Sequence, residues 1–411
     1  MHDHLTQTGG TPGPDFASDL EGAMGVLRSA FEALLSAAGD DPRTPQEMSR
    51  RHGLNKNLTW KVCKIINSSD PWAMVQNVPG SAAVRILLDA YEQSGAPAER
   101  LRAVSDAFAS FEEMTDRHAG DRATLQLCVD STRPDGVQLP ELEDKRRLAF
   151  QGNSAIWGIQ ARLAVSLRVM AASPEQPDAL DLVGVAGLMD LRRLRPTASW
   201  QVHERRIFGE DLDPSRSRKT PLEPGGPAEP PLLSSFSTSP APELRCIEEP
   251  KRLAYELPPG PVGNTASSDL LFGTVSRAAL PLHGETDDAV GEHYCLIDTP
   301  VEHVQCDLLI HQDLPLEAPG LVIASRLRDE LEFPVSRNTR HHLPAVGRVE
   351  ELARPLTSLR SPHMENYLEL VELACGGLEL PVESFRKFRV SFSFPPLSTA
   401  LCLYHALPER S

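Results

Sequence analysis

Apolar residues recur at helical spacing in the first third of the chain and at strand spacing beyond it. Between residues 16 and 38, Leu20, Met24, Leu27, Phe31, Leu34 and Leu35 fall three and four apart, which predicts an amphipathic helix ending near Gly39. Residues 81–92 read as a helix capped by Ser81 after Pro79-Gly80. In residues 97–117, Leu101, Val104, Phe108, Phe111 and Met114 line one face, and Ala119-Gly120 closes that helix. The period becomes two in residues 157–170. There Ile159, Ala161, Leu163, Val165, Leu167 and Val169 alternate with polar Gln160, Arg162, Ser166 and Arg168, the pattern of a half-buried strand.

Further strands are predicted at 180–186, 200–207, 293–299, 304–311 and 321–325, and a helix over 363–375. Near the end, Phe388, Val390, Phe392 and Phe394 alternate with Lys387, Arg389, Ser391 and Ser393. A PPLS turn then leads into TALCLYHAL, which predicts a hairpin or two neighbouring strands. The expected class is α+β. Residues 1–15, rich in Gly, Pro, Thr and Asp, form an expected disordered tail, and 16–125 a helical domain. Residues 140–411 form a β-containing effector or oligomerisation region, interrupted at 214–262 by a dozen prolines that predict a long loop or linker.

A length of 411 residues exceeds the usual limit of one hydrophobic core, so two or three domains are expected. The net charge of −16 argues against a protein that coats nucleic acid with its whole surface. It leaves room for a local basic patch, because screening confines charge effects to roughly 10 Å. The opening residues carry neither a basic start nor an apolar run, so no signal peptide is expected, and no apolar stretch is long enough for a membrane span. Seven scattered cysteines without a C-x-x-C pair fit reduced thiols in a cytoplasmic protein.

Charge makes one stretch stand out: TPQEMSRRHGLNKNLTWKVCKII, residues 44–66. Thr44 and Glu47 form a candidate capping box around Pro45, and Gly53 can take the positive φ that ends a helix. Asn55 then caps a second helix, whose Leu58, Val62, Ile65 and Ile66 form a buried face. Lys56, Asn57, Thr59, Trp60, Lys61 and Lys64 lie off that face. Between 43 and 64, six basic residues meet one acid, a local charge of +5 against −21 for the remainder.

With Met48, Ser49, Gly53, Leu54, Asn55 and Val62 in its key places, this stretch resembles the helix-turn-helix of bacterial transcription regulators. His52 stands where an apolar residue is common, and no β-hairpin pattern follows Ile66. The resemblance implies sequence-specific binding to double-stranded DNA by a homodimer, without a cofactor. Asn57 would read adenine, and Lys56 or Lys61 would read guanine or touch phosphate. Arg43, Thr44 and Arg50 would hold backbone phosphates, and Trp60 would lie on the sugar–phosphate edge. Arg51, Asn55, Thr59 and Lys64 complete the expected DNA-contacting set.

Two other functions stay open: a helix pair that docks another polypeptide, and an enzyme of unfamiliar type in the β-rich region. The Leu101, Val104, Phe108, Phe111 heptad reads as core, with a dimer seam as the alternative. No phosphate loop, G-x-G-x-x-G, H-E-x-x-H or G-x-S-x-G motif occurs. His283, His293 and His303, ten residues apart, match no metal spacing and read as dispersed histidines, as do His341-His342 and the His2/His4 pair. Asp211 and Asp213 read as a turn, Cys295 and Cys306 as buried thiols, and Glu365, Glu369 and Glu372 as a solvated helix face.

Overall fold

The computed structural model describes residues 15–132, 139–206, 218–226, 230–249, 252–284, 286, 288–327, 333–343 and 347–409. Residues 1–14 of the expected tail at 1–15, the His2/His4 pair and Asp211/Asp213 lie outside the described residues, while Asp15 is the N-cap residue of the first helix. The chain is α+β and divides into two compact units, residues 1–138 and 139–411. Among the described residues it holds nine α-helices and 13 strands. No helix among the described residues is long and apolar enough to cross a membrane.

The N-terminal unit contains α1 (Phe16–Ala38), α2 (Pro45–His52), α3 (Lys56–Asn67), α4 (Pro71–Met74), α5 (Ser81–Gln93), α6 (Ala98–His118) and α7 (Arg122–Thr132). The apolar stripe of α1 is buried as its spacing predicts, and the helix ends at Gly39 with φ 71°. α1 packs along α6, whose Val104, Phe108, Phe111 and Met114 enter the same core. Val104, Phe108 and Phe111 of the heptad are therefore spent in the core of the unit, with Leu101 half-buried against it. Ser81 does not cap α5: Gly80 is the N-cap, and the Ser81 hydroxyl points to Glu112 instead. Helical structure continues past residue 125 through α7, whose Leu125 and Val129 are buried.

The C-terminal unit opens with α8 (Leu139–Trp157) and continues as β1 (Ile159–Ala172), β2 (Ala179–Arg193), β3 (Trp200–Arg206), β4 (Arg218–Pro221), β5 (Arg245–Glu249) and β6 (Arg252–Leu257). Then come β7 (Ser268–Pro281), β8 (Val290–Ile297), β9 (Val301–His311), β10 (Gly320–Ser325), β11 (Glu350–Glu351), α9 (Tyr367–Gly376), β12 (Phe385–Ser393) and β13 (Thr399–Ala406). The large sheet has the order β11-β12-β9-β1-β2-β7-β4, with β1 parallel to β9 and antiparallel to β2. Two three-stranded sheets, β10-β13-β8 and β3-β6-β5, complete the unit.

Three expectations are corrected here. β1 is not half-buried. Leu163, Val165, Leu167 and Val169 pack with Tyr367, Leu370, Val371 and Ala374 of α9, while Ser166 on the opposite face is also buried. The Pro-rich stretch is not a bare linker: Leu232, Leu233, Phe236, Tyr255 and Leu257 are buried, and β4 to β6 form there. Its prolines avoid the interior of β6, the central strand of its small sheet, and Pro221 ends the edge strand β4. Finally, β12 and β13 are not neighbours. β12 pairs with β9 and β11, and β13 with β8 and β10. Positive φ at Phe394 (50°) and Ser398 (57°) turns the chain from one sheet into the other.

A buried ion pair ties the large sheet to the segment before α9. Arg389 on β12 holds Asp307 on β9 through bonds of 2.8 and 2.6 Å, and the Tyr367 hydroxyl donates to the same carboxylate at 2.7 Å. Arg389 also donates to the Leu359 and Arg360 carbonyls, so its fork is satisfied on several sides.

Candidate nucleic-acid interface

Gly53, at φ 65°, joins α2 to α3 and lets Leu54 enter the core at 6% exposure. The Asn55 carboxamide accepts from the Asn57 amide at 2.8 Å and caps α3 as its position predicts. Thr44 does not cap α2: its hydroxyl donates to the Asp41 carbonyl, and the expected capping box with Glu47 is absent. Ser49 is buried because its hydroxyl donates to the Leu54 carbonyl at 2.7 Å, satisfying an acceptor inside the turn.

His52 occupies an interior position through pairing rather than apolarity. Its ring is 2.7 Å from the buried Asp40 carboxylate and stacks on Tyr91, with centroids 4.3 Å apart. Tyr91 donates its hydroxyl to the same carboxylate at 2.7 Å. Burial and this carboxylate both push the Tyr91 hydroxyl well above its ordinary value, so it remains a donor at neutral pH.

The six expected cations separate into two sets. Arg43 pairs with Asp41 at 3.0 Å, and Arg51 pairs with Asp40 at 2.7 Å while also reaching the Gly39 carbonyl. Arg50, Lys56, Lys61 and Lys64 are exposed and have no carboxylate partner among the described residues. The Arg43–Asp41 pair holds the Asp41 carboxyl below its ordinary value, but both groups face water, where such a pair is weak and exchangeable.

Lys56, Asn57, Trp60, Lys61 and Lys64 share one face of α3, at positions one, four, five and eight residues apart. Trp60 is 50% exposed, and the Lys64 ammonium sits 4.7 Å from its ring centre. A surface groove of about 750 Å³ opens between the start of α2 and this face, lined by Arg43, Thr44, Arg50, Trp60, Lys64 and Asn67. Asn55 is exposed at its edge of α3. Thr59 is a correction: it is fully buried, with its hydroxyl bonded to the Lys56 carbonyl at 3.0 Å. The buried stripe of α3 is wider than expected because Thr59 and Cys63, four apart, form a second buried row beside Leu58, Val62 and Ile65.

In the C-terminal unit, His283, His293 and His303 do not converge. His293 lies 3.3 Å from His405, His303 stacks on His363, and His283 sits near the Glu409 carbonyl. Among the described residues no three His, Cys, Asp or Glu side chains gather as a metal site. Cys295 and Cys306 are buried in β8 and β9. Glu365, Glu369 and Glu372 are exposed.

A cavity of about 750 Å³ lies on the face of the large sheet opposite α9, with Ser166 and Arg168 of β1 among its walls. The sequence marked Arg168 only as a polar position on a strand. The signal available was a long cation within an apolar run, without an acid nearby in the chain.

No family model matches the chain, and no curated protein matches it. One solved structure, a crystal structure named as that of a "putative protease" from Parabacteroides distasonis, aligns at 6% identity with a TM-score of 0.31. The alignment covers 61% of this chain and 41% of that one, so the chain spans well under half of that protein's length.

Proposed function

We propose that the protein is a sequence-specific DNA-binding transcriptional regulator, with α3 as its recognition helix and the β-rich unit as a sensing or oligomerising part. One observation carries this reading. Arg50, Lys56, Lys61 and Lys64 stand exposed without carboxylate partners, beside Asn57 and a half-exposed Trp60, on a chain of net charge −16. Leaving these four unpaired suits an anionic partner, and the spacing along α3 suits a major groove.

In this reading Asn57, Lys56 and Lys61 face base edges, while Arg43, Thr44, Arg50 and Lys64 meet phosphates. A single α3 covers one half-site, so the active species is a homodimer.

The test is fluorescence anisotropy with labelled duplexes selected from random sequence. Affinity should fall steeply with salt, with a log–log slope of roughly −4 for about four neutralised phosphates. Replacing Lys56 and Lys61 together by Glu should abolish binding and leave the circular dichroism unchanged. Full affinity in that variant removes α3 from the interface. Capture of a polypeptide that survives high salt and nuclease, without any duplex binding, would assign the helix pair to protein docking.

A further inference from the structure

We propose that the cavity of the C-terminal unit binds a small amphipathic carboxylate, seated with its charged end on the Arg168 guanidinium and its apolar body along Leu182, Ala186 and Phe272. This inference rests on the C-terminal unit alone and holds whether or not α3 binds DNA.

The strand register builds the floor. Ser166 pairs with Ala186 and Arg168 with Gly184 across β1 and β2. Gly184 and Ala186 pair in turn with Thr274 and Phe272 of β7. All six therefore share one face of the large sheet, and all six line the cavity. Two of them are small, which leaves open space beside the Arg168 side chain. Gly184 matters directly: a Cβ there would meet the Arg168 guanidinium at 3.3 Å. His293 and Cys295 of β8 and His203 of β3 also line the cavity.

Arg168 is the unbalanced group. Its Nη1 donates to the Leu167 and Val185 carbonyls, at 3.3 and 3.1 Å. Its Nε and Nη2 have no acceptor among the described residues, although a guanidinium carries five N–H donors. The acids that line the cavity are engaged elsewhere. Glu292 accepts from the Val335 and Ser336 amides, Asp298 holds Arg326, and Glu204 accepts from Gln201.

Burial draws Arg168 below its ordinary value, yet an arginine remains charged at pH 7. Neighbouring His293 is lowered to about 3, so it is neutral and adds no competing charge at pH 7. A half-buried cation whose uncommitted donors open to the cavity, with no carboxylate partner among the described residues, suits an anionic ligand. A planar carboxylate answers the free edge of the fork with two parallel bonds. The cavity volume is in the range that small-molecule sites occupy.

The experiment uses the full chain. Decanoate and 1-naphthoate are titrated by calorimetry and by thermal melting, against decanol, 1-naphthalenemethanol and inorganic phosphate. At least one carboxylate should bind and raise the melting temperature, while its matching alcohol should bind at least about tenfold more weakly. Arg168→Met should lose carboxylate binding by a similar factor and melt no lower than the wild type without ligand. Ala186→Phe, which keeps Arg168 but fills the space, should also abolish binding, and it decides the matter if Arg168→Met does not fold. The proposal is overturned if neither carboxylate binds, if the alcohols bind equally, if only phosphate binds, or if Ala186→Phe retains full affinity.

Discussion

The two units treat positive charge in opposite ways. On α3 of the N-terminal unit, Lys56, Lys61 and Lys64 project into water and meet no acid among the described residues. In the C-terminal unit, Arg389 and Lys387 are folded into the sheet, at 8% and 2% exposure, and Arg168 stands in a cavity wall. The first arrangement costs the fold almost nothing, because hydrated lysines need no partner. The second obliges the surrounding chain to supply acceptors, as Asp307 does for Arg389. Exposed cations are thus free for an external partner, whereas buried ones are committed to the structure unless an acceptor is missing, as at Arg168.

The strongest way to break this contrast is Asp307→Ala. It strands the buried Arg389 and removes the acceptor of the Tyr367 hydroxyl. The expected loss is about 3–5 kcal/mol of C-terminal stability by urea denaturation. A loss no larger than that of a surface change would mean the pair is solvated. Pairing Asp307→Leu with Arg389→Met should recover most of the deficit.

Acidification probes the same unit more gently. Burial holds His293 at about 3, with His405 and Arg168 adding to the shift, against an ordinary value of 6.5. Below pH 6.5 the unfolded chain takes up a proton that the folded chain refuses. Stability is therefore full above that pH and is lost as pH falls from 6.5 toward 3. Between pH 6.5 and 5 the loss should be about 2 kcal/mol, read from urea midpoints, and His293→Phe should flatten the slope. A pH-independent midpoint over that window would show that His293 is open to water.

Smaller effects test the helix pair. Asn55→Ala should cost about 1 kcal/mol because it removes the α3 cap, while Thr44→Ala should cost less than about 0.5 kcal/mol because Thr44 caps nothing. Equal losses would restore the capping box. The smallest expected change is in Lys56→Ala with Lys61→Ala, within about 0.5 kcal/mol of wild-type stability. A large loss there would show these lysines to be structural and would erase the contrast between the units.

Much of the helical unit was legible along the chain. The stripes of α1 and α6, the Asn55 cap and the Gly53 turn all depend on residues within a few positions of one another. His52 was legible only as an anomaly, because its partners Asp40 and Tyr91 lie 12 and 39 residues away. Thr59 misled because one helical wheel position does not reveal how wide a stripe the neighbouring helices will cover. In the β-rich unit β7 went unrecognised, although it is an inner strand of the large sheet between β2 and β4. The prolines of 214–262 obscured β5 and β6, since they punctuate the strands without interrupting them.

What the sequence determined by itself is local: where helices and strands run, where Gly53 reverses the chain, and where positive charge collects on an acidic protein. Those features follow from spacing, backbone freedom and composition over a few neighbouring residues. Only the tertiary structure decided that β12 and β13 enter different sheets, that both faces of β1 are covered, and that Arg168 reaches a cavity without an acid to meet it. Each of these depends on which distant segment supplies the covering surface or the missing acceptor, and a strand's alternation carries no record of its partner.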